Sequence, residues 1–221
     1  MSRHPQAEVT TRSQKWLQIL VNERPDVLQR ALPPALGPVE WLSPLKADDY
    51  AEYRDASFVE LLGIELRQRP LRDFWPKGGP QWDALGRTAE GDFILIEAKA
   101  HIAEMASPPC GAKDKASKER IAASLAEVKR RLAPGNRADW SRTYYQYTNR
   151  LAHLYLLRTL NGLPAWLVFL HFVNARDVPL PASREHWEGA ISLLHATLGL
   201  GKHLLRPYVL DVFVDVGELV G

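Results

Sequence analysis

Between Gly79 and His101 the chain carries one acid, Asp83, and then, fourteen residues downstream, the run Glu97-Ala98-Lys99. Phe93 to Ile96 is a continuous apolar stretch that predicts a buried strand. Glu97 and Lys99 extend it with period-2 spacing, so both side chains project from one face. A carboxylate ending a core strand is costly unless a cation, a metal ion or strong hydrogen bonds compensate it. Two acids converging on one lysine leave excess negative charge, which a divalent cation satisfies. A metal held by carboxylates with open coordination positions neutralises a scissile phosphate and activates water, the two requirements of phosphodiester hydrolysis. Mg²⁺ or Mn²⁺ suits such oxygen donors, and two acids plus a backbone carbonyl are sufficient protein ligands. In this scheme Asp83 and Glu97 bind metal, the Ala98 carbonyl contributes, and Lys99 orients the attacking water or stabilises developing charge. The competing reading is a buried ion pair of Lys99 with either acid that only holds a hairpin together.

The elements that must position these residues are legible in outline. Ser13 caps an amphipathic stretch with Trp16, Leu17, Ile19 and Leu20, and a Pro-rich linker covers 32–38. Residues 1–38 therefore read as a helical arm and linker, and 39–221 as the main domain. In that domain a strand is expected at 39–42 and a helix at about 47–62 that carries Asp55 and Glu60. Strands follow at about 64–68, with a continuation near 72–75, then at 81–87 and 92–100. The last two are joined by a turn at 89–91, an antiparallel hairpin. Residues 107–115 read as loop, 116–132, 142–160 and 184–198 as helices, and 165–173 and 208–216 as buried strands. A hairpin followed by strands separated by helices indicates an α/β fold, a mixed sheet flanked by helices.

Asp83, the turn, the apolar strand and Glu97-Ala98-Lys99 together resemble the PD-(D/E)XK nuclease superfamily, whose fold is restriction-endonuclease-like. The order acid-bearing helix, hairpin, helix, strand resembles that family's core as well, over about 47–173. The resemblance implies a metal-dependent phosphodiesterase site made of the two acids and the lysine. It also implies a metal ligand from an upstream helical acid, Glu60 as first choice and Asp55 as second. Gln81-Trp82 stands where the family usually has proline before the first acid, with Pro80 close by. Gln146, Arg150 and His153 form one polar stripe on the helix around Tyr144 to His153, beside the apolar stripe of Tyr147, Leu151 and Leu154. A glutamine on a helix after the Glu-X-Lys strand is similar to exonuclease-like branches of the superfamily. Those branches have a tyrosine four residues on, where this chain has Arg150, a phosphate contact by charge.

Composition narrows the function classes. The 221 residues carry a net charge of only +2, but the span from Lys113 to Arg150 holds ten Lys/Arg against four acids, a local +6. That is a footprint for phosphates or a solvated helix face, and Lys113 and Lys115 are its leading residues toward a nucleic acid. The one cysteine, Cys110, excludes an intrachain disulfide and a cysteine-rich zinc site. The seven histidines form no HExxH pair. No apolar run is long enough to cross a bilayer and the start lacks a secretory pattern, so a soluble cytoplasmic protein without a membrane partner is expected. Gly199 to His203 mimics a phosphate loop but reads as a helix C-terminus. Trp75, Trp82 and Trp140 stand near the site or the basic segment, where they are candidates for stacking on bases. The expectation is a Mg²⁺- or Mn²⁺-dependent nuclease acting on DNA. The alternative is an inactive nuclease-fold protein that binds nucleic acid or a protein partner. Endo- or exonuclease action, RNA as substrate, and a monomer or homodimer are left open.

Overall fold

Ile94, Leu95 and Ile96 are almost fully out of water at the centre of a sheet, and the molecule is layered around them. The computed structural model describes residues 3–9 and 11–220. Its strands and helices follow in the order β1 (Arg3–His4), α1 (Arg12–Asn22), α2 (Pro25–Ala31), β2 (Val39–Ser43), β3 (Glu52–Tyr53), α3 (Asp55–Leu61) and the single turn α4 (Leu71–Phe74). Then come β4 (Ala84–Thr88), β5 (Phe93–Lys99), α5 (Lys115–Leu132), α6 (Tyr145–Tyr155), β6 (Ala165–Val173), α7 (Arg184–Leu198) and β7 (Val209–Asp215). A π-helical turn, Leu156–Leu160, extends α6.

Five strands form one mixed sheet in the order β2-β4-β5-β6-β7. The β2/β4 and β4/β5 pairs are antiparallel, whereas β5/β6 and β6/β7 are parallel. The expected hairpin is β4 and β5, closed by Gly91 at φ 88°, where a glycine meets no steric cost. Both faces of β5 are covered, which explains its unbroken apolar run. Leu95 packs into a layer with Phe58, Leu125, Val128 and Leu151 from α3, α5 and α6. Ile94, Ile96 and Ala98 pack into the opposite layer with Trp16, Leu17, Leu20 and Leu28 from α1 and α2. Alternation then sets Glu97 and Lys99 on the α6 side of the sheet.

The domain boundary expected at residue 38 has no counterpart in the packing. α1 and α2 are the cover of one sheet face, and without them Ile94, Ile96, Val168 and Val214 would meet water. The helix expected at 47–62 is also corrected: it begins at Asp55. Asp49 and Tyr50 adopt φ values of 51° and 48°, which interrupt a helix. Glu52 and Tyr53 instead pair with His4 and Arg3, and Tyr53 bridges to Trp82. No strand forms at 64–68, where the Gln68 and Arg69 amides donate to the Asn161 side chain, and 71–74 is helical. The later elements match closely, with β6 and α7 spanning the expected residues. Gly199, at φ 68°, ends α7 as a C-cap, so the phosphate-loop lookalike is a helix terminus.

Candidate active site

β4 and β5 pair so that Ala84 faces Ile96, which brings Asp83, one residue before β4, opposite Glu97. The Asp83 amide donates to the Ile96 carbonyl at 3.2 Å, and Asp83 Oδ2 accepts from the Ala98 amide at 2.7 Å. Among the described residues its Oδ1 accepts no hydrogen bond. Lys99 donates to Glu97 Oε1, and Glu97 Oε2 accepts from Arg150 Nε at 2.7 Å and stands 2.5 Å from Nη2. The three residues read from the sequence as a unit, Asp83, Glu97 and Lys99, are thus neighbours on one face.

A further acid joins them, and it is not one of the two expected. Glu52, on β3, is buried and close enough to Asp83 and Glu97 for its charge to act on both. Its Oε1 accepts from Gln14 Nε2 at 2.7 Å and its Oε2 from Gln81 Nε2 at 2.5 Å. Glu60 is instead an exposed residue lining a surface cleft of about 1290 Å³, with Arg54, Arg72, Lys77 and Arg120 around it. Asp55 lines the same cleft and accepts from the Gly78 and Gly79 amides at 3.1 and 2.9 Å, pinning the loop that leads to Asp83.

Three carboxylates and two cations, Lys99 and Arg150, leave one excess negative charge when all are ionised. The strain of that imbalance falls on Asp83. Burial, and then repulsion from Glu97 and Glu52, hold its carboxyl well above the usual range, against the pull of Lys99 and the Ala98 amide. Burial would also raise Glu97, but Arg150 and Lys99 outweigh it and keep that carboxyl below the usual range. Burial would lower Lys99, yet Glu97 and Asp83 hold it above its ordinary value. Glu52 is raised by burial, opposed by its Gln81 and Gln14 hydrogen bonds.

The chemistry of the donors, though not their spacing in this structure, suits a hard divalent cation. The set is all oxygen, carries net negative charge and has an Asp83 oxygen free of hydrogen bonds, while each Glu52 oxygen keeps a second lone pair. Among the described residues no three His, Cys, Asp or Glu side chains stand close enough to form a ligand cluster by themselves. Asp83, Glu97 and Glu52 are the residues that would have to draw together to hold an ion, with Ala98 supplying backbone.

α6 closes the site from above. Gln146 sits in its first turn, where its amide donates to Ser107 Oγ at 2.9 Å, and it lines a cavity of about 20 Å³ with Glu97, Lys99, Tyr147 and His171. Such a space holds one water. Arg150 is buried rather than free for phosphate: beyond Glu97 it donates to the Gln81 carbonyl and the Asn149 side chain, both at 2.8 Å, and its guanidinium lies 5.0 Å from the Trp82 ring centre. His153 leaves the stripe for an aromatic box of Phe58, Phe74, Trp75 and Trp82. Trp75, Trp82 and Trp140 are all buried in the core and present no face to a base. Lys113 and Lys115 are exposed ahead of and at the start of α5, where Lys115 pairs with Glu119 at 3.8 Å.

Glu52, Gln81, Gln14 and the His171–Asp211 pair, 3.1 Å apart on β6 and β7, were not found by sequence reasoning. Glu52 lies in a stretch of helix-like composition and becomes visible only through its pairing with residues 3–4. The His171–Asp211 pair had a weak signal: two polar residues inside otherwise apolar buried strands, at positions that the parallel register brings near Lys99. No protein-family model, curated protein or solved structure matches this chain. The class of molecule established by its architecture is a mixed five-stranded α/β sheet flanked by helices. No helix among the described residues is long and apolar enough to cross a membrane.

Proposed function

We propose that the protein is a Mg²⁺- or Mn²⁺-dependent nuclease that hydrolyses phosphodiester bonds in DNA, with a PD-(D/E)XK-like site on a restriction-endonuclease-like sheet. The observation that carries this reading is the position of Asp83 directly across a β-hairpin from Glu97, with Lys99 on the same face. An acid-bearing stretch, a hairpin, a helix and a parallel strand in that order also support the resemblance.

A bound ion would polarise a phosphate oxygen and lower the pKa of a coordinated water. The chain's own part is to hold donors and charges ready. Arg150 and Lys99 keep Glu97 ionised at neutral pH. The hydrogen bond from Ala98 fixes Asp83 through Oδ2 and leaves Oδ1 without a hydrogen bond among the described residues. Lys99 stays cationic beside the acids, in position to donate to a phosphate oxygen or orient the attacking water. Gln146 lies beside Lys99 at the wall of the small cavity and is the residue of α6 in place to hold that water.

Purified protein incubated with single- and double-stranded DNA, with Mg²⁺, Mn²⁺ or chelator, tests the reading. Lys99→Ala is expected to lower the metal-dependent cleavage rate by about 10²–10³, the usual cost of one such electrostatic contact. Equal cleavage by wild type and variant sinks it.

The second reading, a nuclease-fold protein that binds nucleic acid or a protein without turnover, draws on one observation. Both Glu97 oxygens are already engaged by Lys99 and Arg150. Calorimetry with millimolar Mg²⁺ and Mn²⁺ separates the two, since only the nuclease requires the ion.

A further inference from the structure

We propose that Gln14, on the first helix, is a positioning residue for the Glu52 carboxylate and so makes α1 part of the metal-binding site; this rests on the nuclease reading above. Glu52 and Glu97 are both buried acids, but they are held by different means. Glu97 has two cationic partners, which neutralise it. Glu52 has two carboxamides, Gln14 Nε2 on one oxygen and Gln81 Nε2 on the other. Neutral donors fix the plane of a carboxylate without cancelling its charge, and a second lone pair on each oxygen is left for a cation. Glu52 is thereby a buried acid oriented by neutral donors on both oxygens rather than by a cation in contact with it, and outer partners of this kind commonly orient metal ligands.

Gln14 is itself on a rigid mount. The Arg12 amide and Trp16 Nε1 both donate to Asp177, at 2.8 Å each. Gln18, one turn on, ties the helix to the Ala7 carbonyl and the Val9 amide at 3.2 and 3.0 Å. Leu17 and Leu20 are buried under the sheet. Gln81 stands two residues before Asp83 and, through its carbonyl, also receives Arg150. Gln14, Glu52, Gln81 and Arg150 thus form a chain from the first helix to Glu97, joining the start of the sequence to its catalytic hairpin.

Calorimetric titration of the purified full chain with Mn²⁺, alongside thermal melts without metal, tests the role through two variants. Gln14→Met keeps the length and apolar stem but removes the donor. Its Mn²⁺ affinity is expected to fall about 10-fold, the lower end for loss of an outer partner. Gln14→Lys keeps a donor on Glu52 but neutralises it. A melting temperature at or above that of wild type, with Mn²⁺ affinity lowered further than in Gln14→Met, is expected. A merely structural contact would be rescued by lysine in both measurements. Wild-type binding with both variants unchanged, or full rescue of affinity by lysine, overturns this inference alone. A wild type that takes up no Mn²⁺ overturns the nuclease reading and this inference with it.

Discussion

Arg150 grips Glu97 with two guanidinium nitrogens, Nε at 2.7 Å and Nη2 at 2.5 Å, and the two side chains are only 4% and 2% exposed. This contact ties α6 to the sheet at the proposed site. A buried pair adds little net stability over apolar residues of similar shape, but removing one partner strands the other. Arg150→Met is therefore expected to destabilise the fold by about 3–5 kcal/mol, read from urea unfolding at pH 7. Arg150→Lys should recover part of this, because an ammonium keeps the charge but not the fork. A shift within about 0.5 kcal/mol for Arg150→Met, the range of a surface substitution, would contradict the geometry.

The two upstream acids separate by position, and metal binding distinguishes them. Glu52→Gln should weaken Mn²⁺ binding by 10-fold or more, since it removes a charge that acts on Asp83 and that Glu97 acts on in turn. Glu60→Gln, on the surface cleft, should leave affinity unchanged. The reverse order in a calorimetric titration would return the third ligand to the helix.

Asp83 bears the electrostatic cost of the buried charge cluster. Its carboxyl is raised in the folded protein, so the folded state holds this proton more tightly than the unfolded chain does. That contribution is present below the unfolded carboxylate range and is lost as pH climbs through the folded value. Asp83→Asn keeps an acceptor for the Ala98 amide while removing the charge. In chelator at pH 7.5 the variant should melt above wild type, with the gap closing toward pH 4, and it should bind no Mn²⁺. Thermal melts across that pH range check the sign, and a variant that melts lower at pH 7.5 would refute it.

His153 works in the opposite direction. Burial lowers it to about 4, and Arg150 adds repulsion against the Asn149 carbonyl that bonds its ring. The folded protein keeps it neutral, so stability is full above the unfolded histidine range, near 6.5, and is lost as pH falls toward 4. Between pH 7.5 and 5 this amounts to about 2 kcal/mol. His153→Phe retains a ring in the aromatic box and should flatten the pH profile by that amount in urea titrations. Parallel profiles for wild type and variant would show that His153 does not carry the dependence.

Much of the site was written in local pattern. Asp83, Glu97 and Lys99 were legible because strand alternation is a two-residue rule, and an acid and a lysine at the end of an apolar run must share a face. A nearly unbroken apolar run yielded β6, and helical spacing yielded α7 and the face of α6 that carries Gln146 and Arg150. Those are properties of neighbours in sequence, with energies set within a few residues. Tertiary structure alone decided the partners. Arg150 was expected on phosphate and stands on Glu97, because a buried carboxylate captures the nearest guanidinium. Glu52 rather than Glu60 stands beside Asp83 because Asp49 and Tyr50 turn the chain out of a helix and let residues 52–53 pair with residues 3–4. The first helix, expected as an arm, covers a sheet face and reaches Glu52 through Gln14. Spacing along the chain singled out Asp83, Glu97 and Lys99 as candidates, whereas burial of charge, balanced only by groups distant in sequence, decided which residues meet there.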